Sequence, residues 1–300
     1  MNTAVPKIPH LTIKVAASSI QDVLWVEPLI RSLAEKIKKI TFISPFPSVF
    51  LGYPIKHVQI KSRTKGWDAI RLFLASFLKL DRRYLFLDTT RKSNNRAHHI
   101  LELYKATAGE YFDSSYPRIH LSPAEKQNYA LIKPYVVISH GQRKAVQSIF
   151  GIDWRFVYTQ LESWGYQLII LGASDGASTA YHYEKLSLRD TFSIIFNASL
   201  FIGPDGPEAL AAASFKIPSI LFFGQENPWL SHLEPIYTGV IMQQPCVFPS
   251  CYNRYNFPDK KNAGPLPQSC PSSCCLHRNV DLIRHIERMI EIRRADPAIP

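Results

Sequence analysis

Two aspartates in the sequence stand where a strand-like segment passes into a helix-like one. Asp22 follows the β-rich segment 11–17, and Asp205 lies in the turn cluster Gly203-Pro204-Asp205-Gly206-Pro207, ahead of an Ala-rich stretch. In a parallel α/β sheet such turns lie at the carboxyl edge, where N–H groups at a helix start face ligands. Asp22 is therefore either a helix cap or a general base that takes a proton from a hydroxyl group. Asp205, with Glu208 as the nearest polar neighbour, either accepts hydrogen bonds from sugar hydroxyls or belongs to a cluster that only turns the chain.

Basic side chains follow two further predicted strands. The strand 84–88 is followed by Arg91, Lys92 and Arg96, and the strand 135–139 by Arg143 and Lys144. Cations at a carboxyl edge can hold phosphates or carboxylates, so we expect the first group to bind an anionic acceptor and the second a pyrophosphate. A solvated basic loop is the alternative for the first group. Asp175, after the predicted strand 167–171, is the one acid in its loop that could reach a ribose or base.

All the cysteines lie in one Pro- and Asn-rich segment, 243–278. They are Cys246, Cys251, Cys270, Cys274 and Cys275. Clustered thiols in an intracellular protein favour metal ligation over disulfides, and the spacing C-x4-C, then C-x3-C-C, permits a tetrahedral thiolate site for zinc or iron. The metal would be structural and would staple a long loop. A set of unligated thiols is the alternative.

Composition describes a basic globular protein. The 300 residues carry 35 Lys and Arg against 24 Asp and Glu, a net charge of +11, and 46% are hydrophobic. This charge favours anionic partners: a nucleotide sugar, a phosphorylated lipid, an anionic membrane surface or nucleic acid. Nucleic acid is disfavoured because the basic residues are dispersed. No segment has the length of a membrane span and the N-terminus has no signal-peptide pattern, so we predict a cytoplasmic protein, with a peripheral place at the inner face of the membrane left open.

The order of predicted elements indicates two Rossmann-like domains. Strands and helices alternate from residue 11 to a crossing segment that ends at Pro134, and the pattern restarts with the strand 135–139. We therefore place an N-terminal domain at 1–134 and a C-terminal domain at 135–300. The second domain contains the Cys-rich loop 243–278 and a closing helix, 279–292.

Two segments resemble glycosyltransferase family 9, the heptosyltransferase family. The stretch 198–224 is similar to the family's donor-site signature, with Gly203, Asp205, Gly206 and the run Ala211-Ala212-Ala213 in place, but Ala209 and Leu210 stand where the family has His. The stretch 18–33 is similar to the family's acceptor-side motif, in which Gln21 replaces a Gly. The matching residues there are Ser18, Ser19, Ile20, Asp22, Val23, Leu24, Pro28 and Leu33.

The resemblance implies a GT-B fold, an α/β architecture of two Rossmann-like domains whose parallel sheets face a central cleft. It further implies an inverting glycosyltransferase with Asp22 as the base, Ser18, Ser19 and Gln21 on the acceptor side, and ADP-heptose or a related nucleotide sugar as donor. The acceptor would be a lipopolysaccharide-core sugar, another glycan or a protein hydroxyl. The chemistry would need no metal, although a protein-heptosylating subgroup binds iron through C-terminal cysteines. The alternative is an inactive GT-B scaffold, a metal-stapled binding protein for an anionic glycan or nucleic acid.

Overall fold

The computed structural model divides the chain into two compact units, Met1–Ser122 and Pro123–Pro300. The structure describes residues 9–17, 19–62, 84–88, 99–109, 112, 114–129, 131, 134–140, 152–172, 181–183, 186–223, 228–233, 239–243 and 277–295. None of the helices within these ranges is long and apolar enough to cross a membrane.

The first unit is a parallel sheet with helices. Its strands are β1 (Leu11–Ala16), β2 (Ile40–Ile43), β3 (Val58–Lys61) and β4 (Tyr84–Asp88), and its helices are α1 (Ile20–Leu24), α2 (Glu27–Lys36) and α3 (Ile100–Ala108). The sheet order is β3-β2-β1-β4, and Ile13 on β1 pairs with Phe42 on β2 and Leu85 on β4. β1 is a central strand of this sheet, and its apolar residues are buried, with Ile13 fully so.

The second unit is built on a six-stranded parallel sheet. Its strands are β5 (Tyr135–Ser139), β6 (Gln167–Leu171), β7 (Tyr181–Tyr183), β8 (Leu200–Pro204), β9 (Ser219–Phe223) and β10 (Gly239–Gln243), in the order β10-β9-β8-β5-β6-β7. Its helices are α4 (Pro123–Gln127), α5 (Trp154–Ser163), α6 (Leu188–Phe196), α7 (Pro207–Ser214) and α8 (Asn279–Ala295). The sequence pattern had not predicted the two edge strands β7 and β10.

One core of the second unit lies between the sheet and helices α5 and α8. Val136, Ile138, Ile202 and Phe222 from the strands pack with Leu282 and the other apolar residues of α8 and α5 in one buried cluster. The closing helix thus completes a core, and it runs to Ala295, three residues beyond the predicted end at 292.

The division between the units falls earlier than the pattern break at residue 134. The short helix α4 associates with α6 of the second unit, because Arg189 donates from Nε and Nη2 to the carboxylate of Glu125, both at 2.7 Å. The Nδ2 of Asn197 also donates to the carbonyl of Lys126, at 2.8 Å. These bonds attach the segment before β5 to the second unit.

Candidate active site

Each sheet has a point at which the strand order reverses, and each candidate aspartate follows a strand at that point. In the first sheet β2 and β3 lie on one side of β1 and β4 on the other; in the second, β6 and β7 lie on one side of β5, and β8 to β10 on the other. Ligands of open α/β sheets bind outside the carboxyl ends of the strands at such reversals. Asp22 comes after β1 and Asp205 after β8, so both lie where the topology predicts a binding site.

Asp22 is held in the first turn of α1. Its N–H donates to Ser19 Oγ at 3.0 Å, so the helix cap is Ser19 and the cap interpretation of Asp22 is wrong. The residue is only 7% exposed, and the Tyr104 hydroxyl donates to its carbonyl oxygen at 2.9 Å in a buried contact. The main chain of Asp22 is therefore fixed from two directions, by the cap and by helix α3.

The other acceptor-side candidates are described only in part. Ser19 and the partly buried Gln21 flank the start of α1. Ser18 lies outside the described residues, as do Arg91, Lys92 and Arg96.

The end of β8 lies against the end of β5. An added Cβ at Gly203 would stand 3.0 Å from Ser139 Cβ and 3.2 Å from Ser139 O, so a larger residue would crowd the end of β5. Gly206 then caps α7, with Pro207 in the first turn of the helix. Helix α7 is buried from Ala209 to Ala213, so its start is rigidly placed at the sheet edge.

Two carboxyls and a histidine meet at this turn. The carboxylate Oδ1 of Asp205 lies 3.0 Å from Nε2 of His232, whose side chain is fully buried. Burial raises the pKa of the Glu208 carboxyl, and the charge of Asp205 adds to the rise. The turn thus presents one carboxyl group within hydrogen-bond distance of an imidazole and a second carboxyl group whose pKa is raised.

His232 and His140 were both missed by the sequence reasoning. His140 directly follows β5, its Nε2 is 2.6 Å from the Tyr158 hydroxyl, and its ring packs edge-on against Trp154 at 4.7 Å. Its place after the strand 135–139 was a usable signal, because it lies at the same sheet reversal as Gly203. For His232 the sequence offers none, since it lies 27 residues from Asp205.

The remaining predicted site residues fall outside the described part of the chain. They are Arg143, Lys144, Asp175, Cys246, Cys251, Cys270, Cys274 and Cys275. Within the described ranges, no group of three or more His, Cys, Asp or Glu side chains is arranged to hold a metal ion.

The first unit also contains a polar cavity of about 750 Å³ beside α2, built around Glu27. Glu27 is 1% exposed and accepts from Arg31 Nε and Nη2 at 3.2 and 3.3 Å, from the Tyr53 hydroxyl at 3.2 Å and from the Arg118 N–H at 3.0 Å. Arg31 Nη2 also donates to Ser115 Oγ at 2.9 Å. Burial, and secondly the charge of Glu27, raises the pKa of Tyr53. This buried carboxylate joins α2 to the loops that carry Tyr53 and Arg118.

Several solved structures that resemble this chain are glycosyltransferases. The glycosyl transferase family 9 protein of Veillonella parvula DSM 2008 matches with a TM-score of 0.67 at 11% identity, over 95% of this chain and 99% of that one. TibC of enterotoxigenic E. coli H10407 is an iron-containing heptosyltransferase solved with ADP-D-beta-D-heptose. It matches with a TM-score of 0.70 at 16% identity, over 98% of this chain and 80% of that one. E. coli ADP-heptose lps heptosyltransferase II matches with a TM-score of 0.65 at 12% identity, over 95% of this chain and 99% of that one.

The sequence itself matches no protein-family model and no curated protein. The structural likeness, at identities of 11–16%, establishes the fold: this is an α/β protein with the GT-B architecture. The predicted fold class is therefore confirmed. The architecture is the one found in heptosyltransferases and in family 9 of the glycosyltransferases.

Proposed function

We propose that the protein is an inverting glycosyltransferase that moves a sugar from a nucleoside diphosphate to an acceptor hydroxyl. The observation that carries the proposal is the position of the two aspartates. Asp22 and Asp205 each begin a helix or turn at the strand-order reversal of its own sheet, in a fold shared with heptosyltransferases. A reversal point is where this class of sheet binds ligands.

Asp22 acts as the general base in the proposed reaction. Its carboxylate takes the proton of the acceptor hydroxyl, the oxygen attacks the anomeric carbon, and the bond from that carbon to the diphosphate oxygen breaks with inversion. The leaving diphosphate carries away the electron pair. Arg143, Lys144 and the N–H groups at the start of α7 stabilise its charge, and Gly203, Asp205, Gly206, Glu208 and Asp175 complete the donor site.

ADP-heptose is the proposed donor, supported by TibC, which was solved in complex with ADP-D-beta-D-heptose. The acceptor is a lipopolysaccharide-core sugar, another glycan or a protein hydroxyl, held near Ser18, Ser19 and Gln21. Arg91, Lys92 and Arg96 bind its anionic groups. We place the protein in the cytoplasm, and a basic protein of net charge +11 can associate with the inner face of an anionic membrane.

A structural metal accompanies this proposal. The five cysteines of the segment 243–278 would hold zinc or iron as thiolates and staple the loop. TibC is likewise described as iron-containing. In the proposed reaction this metal is structural, and the base and the diphosphate-binding groups are side chains or main-chain N–H groups.

The test measures binding and transfer separately. Wild-type protein is titrated with ADP, UDP, GDP and ADP-heptose by thermal shift, and transfer of heptose to a deacylated lipopolysaccharide core is followed by mass spectrometry. Asp22→Asn should keep ADP-heptose binding and lose transfer by at least about a hundredfold, in the range typical of a lost general base. Lys144→Ala should weaken binding of every nucleoside diphosphate.

The chain offers a matched control for Asp22. Asp190 occupies the same place in α6, where its N–H donates to the cap Ser187 Oγ at 3.1 Å, as that of Asp22 does to Ser19. Asp190→Asn therefore makes the same change in the same helix position, and transfer should be unaffected. Equal loss of transfer in both variants would assign Asp22 to the helix alone.

The second candidate is a GT-B binding protein without catalysis. It is favoured by the absence of His at Ala209 and Leu210, by Gln21 in the place of a Gly, and by the net charge of +11. It predicts thermal stabilisation by anionic glycans or nucleic acid, none by nucleoside diphosphates, and no effect of Asp22→Asn or Lys144→Ala. The titration therefore separates the two candidates.

A further inference from the structure

We infer that His232 is a positioning residue of the donor turn, holding the Asp205 carboxylate ready to accept hydrogen bonds from the hydroxyls of a bound nucleotide sugar. This role rests on the proposed function. It adds a residue from a different loop, which orients the carboxylate of the donor turn.

The positioning role requires that the imidazole donate to the carboxylate. Nε2 of His232 lies 3.0 Å from Oδ1 of Asp205. Because a carboxylate can only accept, the role needs the tautomer of His232 that carries its proton on Nε2. The histidine side chain is fully buried and the aspartate is 13% exposed, so the imidazole approaches from inside while the carboxylate retains access to solvent.

The imidazole is itself held by the loop after β9. The N–H groups of Ser231 and His232 donate to the Pro228 carbonyl at 3.1 and 2.9 Å, which closes a tight turn. The ring then packs edge-on against Phe223, with centroids 5.8 Å apart and planes at 86°. His232 therefore has a fixed main chain and a fixed ring, as a residue that orients another must have.

The main chain of Asp205 is also held, by strand β9. Its N–H donates to the Phe222 carbonyl at 3.3 Å, at the end of β9. Main chain and side chain are thus both tied to elements next to β8, which limits rotation of the carboxylate before a ligand arrives. A preformed acceptor reduces the conformational entropy lost on binding.

The pair also explains how a turn with two carboxyls can accept an anionic donor. Asp205 and Glu208 are three residues apart at the start of α7. The N–H of His232 offsets the charge of Asp205, and burial raises the pKa of Glu208. Repulsion of a diphosphate is reduced by both effects.

The experiment compares substitutions by whether they can still donate from the position of Nε2. Gln places its amide nitrogen at a similar reach, Asn falls short, and Leu keeps the packing on Phe223 without any donor. Dissociation constants for ADP and ADP-heptose are measured by calorimetry on the full-length protein. His232→Leu and His232→Asn should weaken ADP-heptose binding about tenfold, equivalent to about 1.4 kcal/mol, whereas His232→Gln should stay within about threefold of wild type.

A double-mutant cycle distinguishes positioning from general support of the fold. In an Asp205→Ala background, His232→Asn should cause no further loss, because the group it positions is gone. His285→Leu, the same kind of change on α8, serves as control and should leave both constants unchanged. The Asn and Gln variants remain informative even if His232→Leu does not fold.

Each outcome is decisive. The positioning role alone is overturned if the Asn and Gln variants bind ADP-heptose as tightly as wild type. It is also overturned if His232→Asn weakens ADP-heptose binding as much in the Asp205→Ala background as in the wild-type protein. Failure of the wild-type protein to bind ADP, UDP, GDP or ADP-heptose overturns the proposed function, and this inference with it.

Discussion

Two buried tyrosines allow a sharp test of how Asp22 is held. The Tyr104 hydroxyl donates to the Asp22 carbonyl at 2.9 Å, and the Tyr135 hydroxyl donates to the Ile194 carbonyl at 2.7 Å. Both side chains are at most 1% exposed, and each hydroxyl bonds a helical carbonyl. Replacing each by Phe removes one oxygen and keeps the ring, but only Tyr104 touches the proposed base.

The expected loss of stability is similar for the two variants. Each leaves a buried carbonyl without its side-chain donor, which costs about 1–3 kcal/mol in the free energy of unfolding. The effect on activity should differ, because Tyr104→Phe frees the main chain of Asp22. A misplacement of a catalytic group by about 1 Å can lower the rate up to about a hundredfold, so we expect kcat/KM to fall about tenfold in this variant. Tyr135→Phe should keep kcat/KM within about twofold of wild type, since uncoupled sites do not share their effects.

Urea denaturation followed by circular dichroism measures the stabilities, and steady-state heptose transfer measures the activities. Donor binding by calorimetry should be normal in both variants. Tyr104 does not hold the proposed base in place if Tyr104→Phe loses stability but keeps full activity. The same conclusion follows if Tyr135→Phe loses as much activity as Tyr104→Phe.

Three further predictions concern the frame around the site. Glu27→Ala should lower the free energy of unfolding by about 1–3 kcal/mol, because the Tyr53 hydroxyl and the Arg118 N–H lose the buried carboxylate that accepts from them; a loss below about 1 kcal/mol in urea denaturation would contradict this. The pKa of Tyr53 is raised in the folded state, so its contribution to stability should be complete below about pH 10 and decline above it, as the unfolded chain loses the phenol proton first. Tyr53→Phe should flatten that alkaline decline in a pH series of urea midpoints, and an unchanged slope would count against it. Gly203→Ala should cost about 1–3 kcal/mol through the crowding of Ser139 and should weaken ADP binding as well; wild-type stability would show that β8 can move aside.

Two of the strands predicted from sequence, β5 and β9, have continuous apolar runs. β5 and β9 read YVVIS and SILFF, and every residue of both is buried, so burial on two faces was visible as composition. β7 was missed because a three-residue strand reading YHY has no such run, and only its pairing with β6 defines it. The compact units divide after Ser122, ahead of the pattern break at residue 134. The salt bridge from Arg189 to Glu125 joins residues far apart in the sequence, and no local pattern reports it.

In the candidate site, too, local features could be predicted and contacts between distant residues could not. The Gly-Pro-Asp-Gly turn and the start of α1 could be predicted, because turn residues next to an apolar run specify local geometry. The cap at Ser19 was missed in favour of Asp22, since both residues are good caps and only the hydrogen bond decides between them. His232 could not be predicted at all. Its partner lies on the loop of an adjacent strand, and adjacency within a sheet is a property of the topology.

Helix α7 has a consequence for how substrate preference can change. It is enclosed on all sides from Ala209 to Ala213, so a methyl group added there has nowhere to go and the helix cannot shift along the sheet. New preferences must therefore arise by exchanging side chains at Asp205 in the turn before it, at Glu208 in its first turn, or in the loop that carries His232. The buried residues 209–213 hold these positions in place. A directed library restricted to Asp205, Glu208 and the loop that carries His232 should therefore yield folded variants with altered donor choice far more often than one that includes residues 209–213.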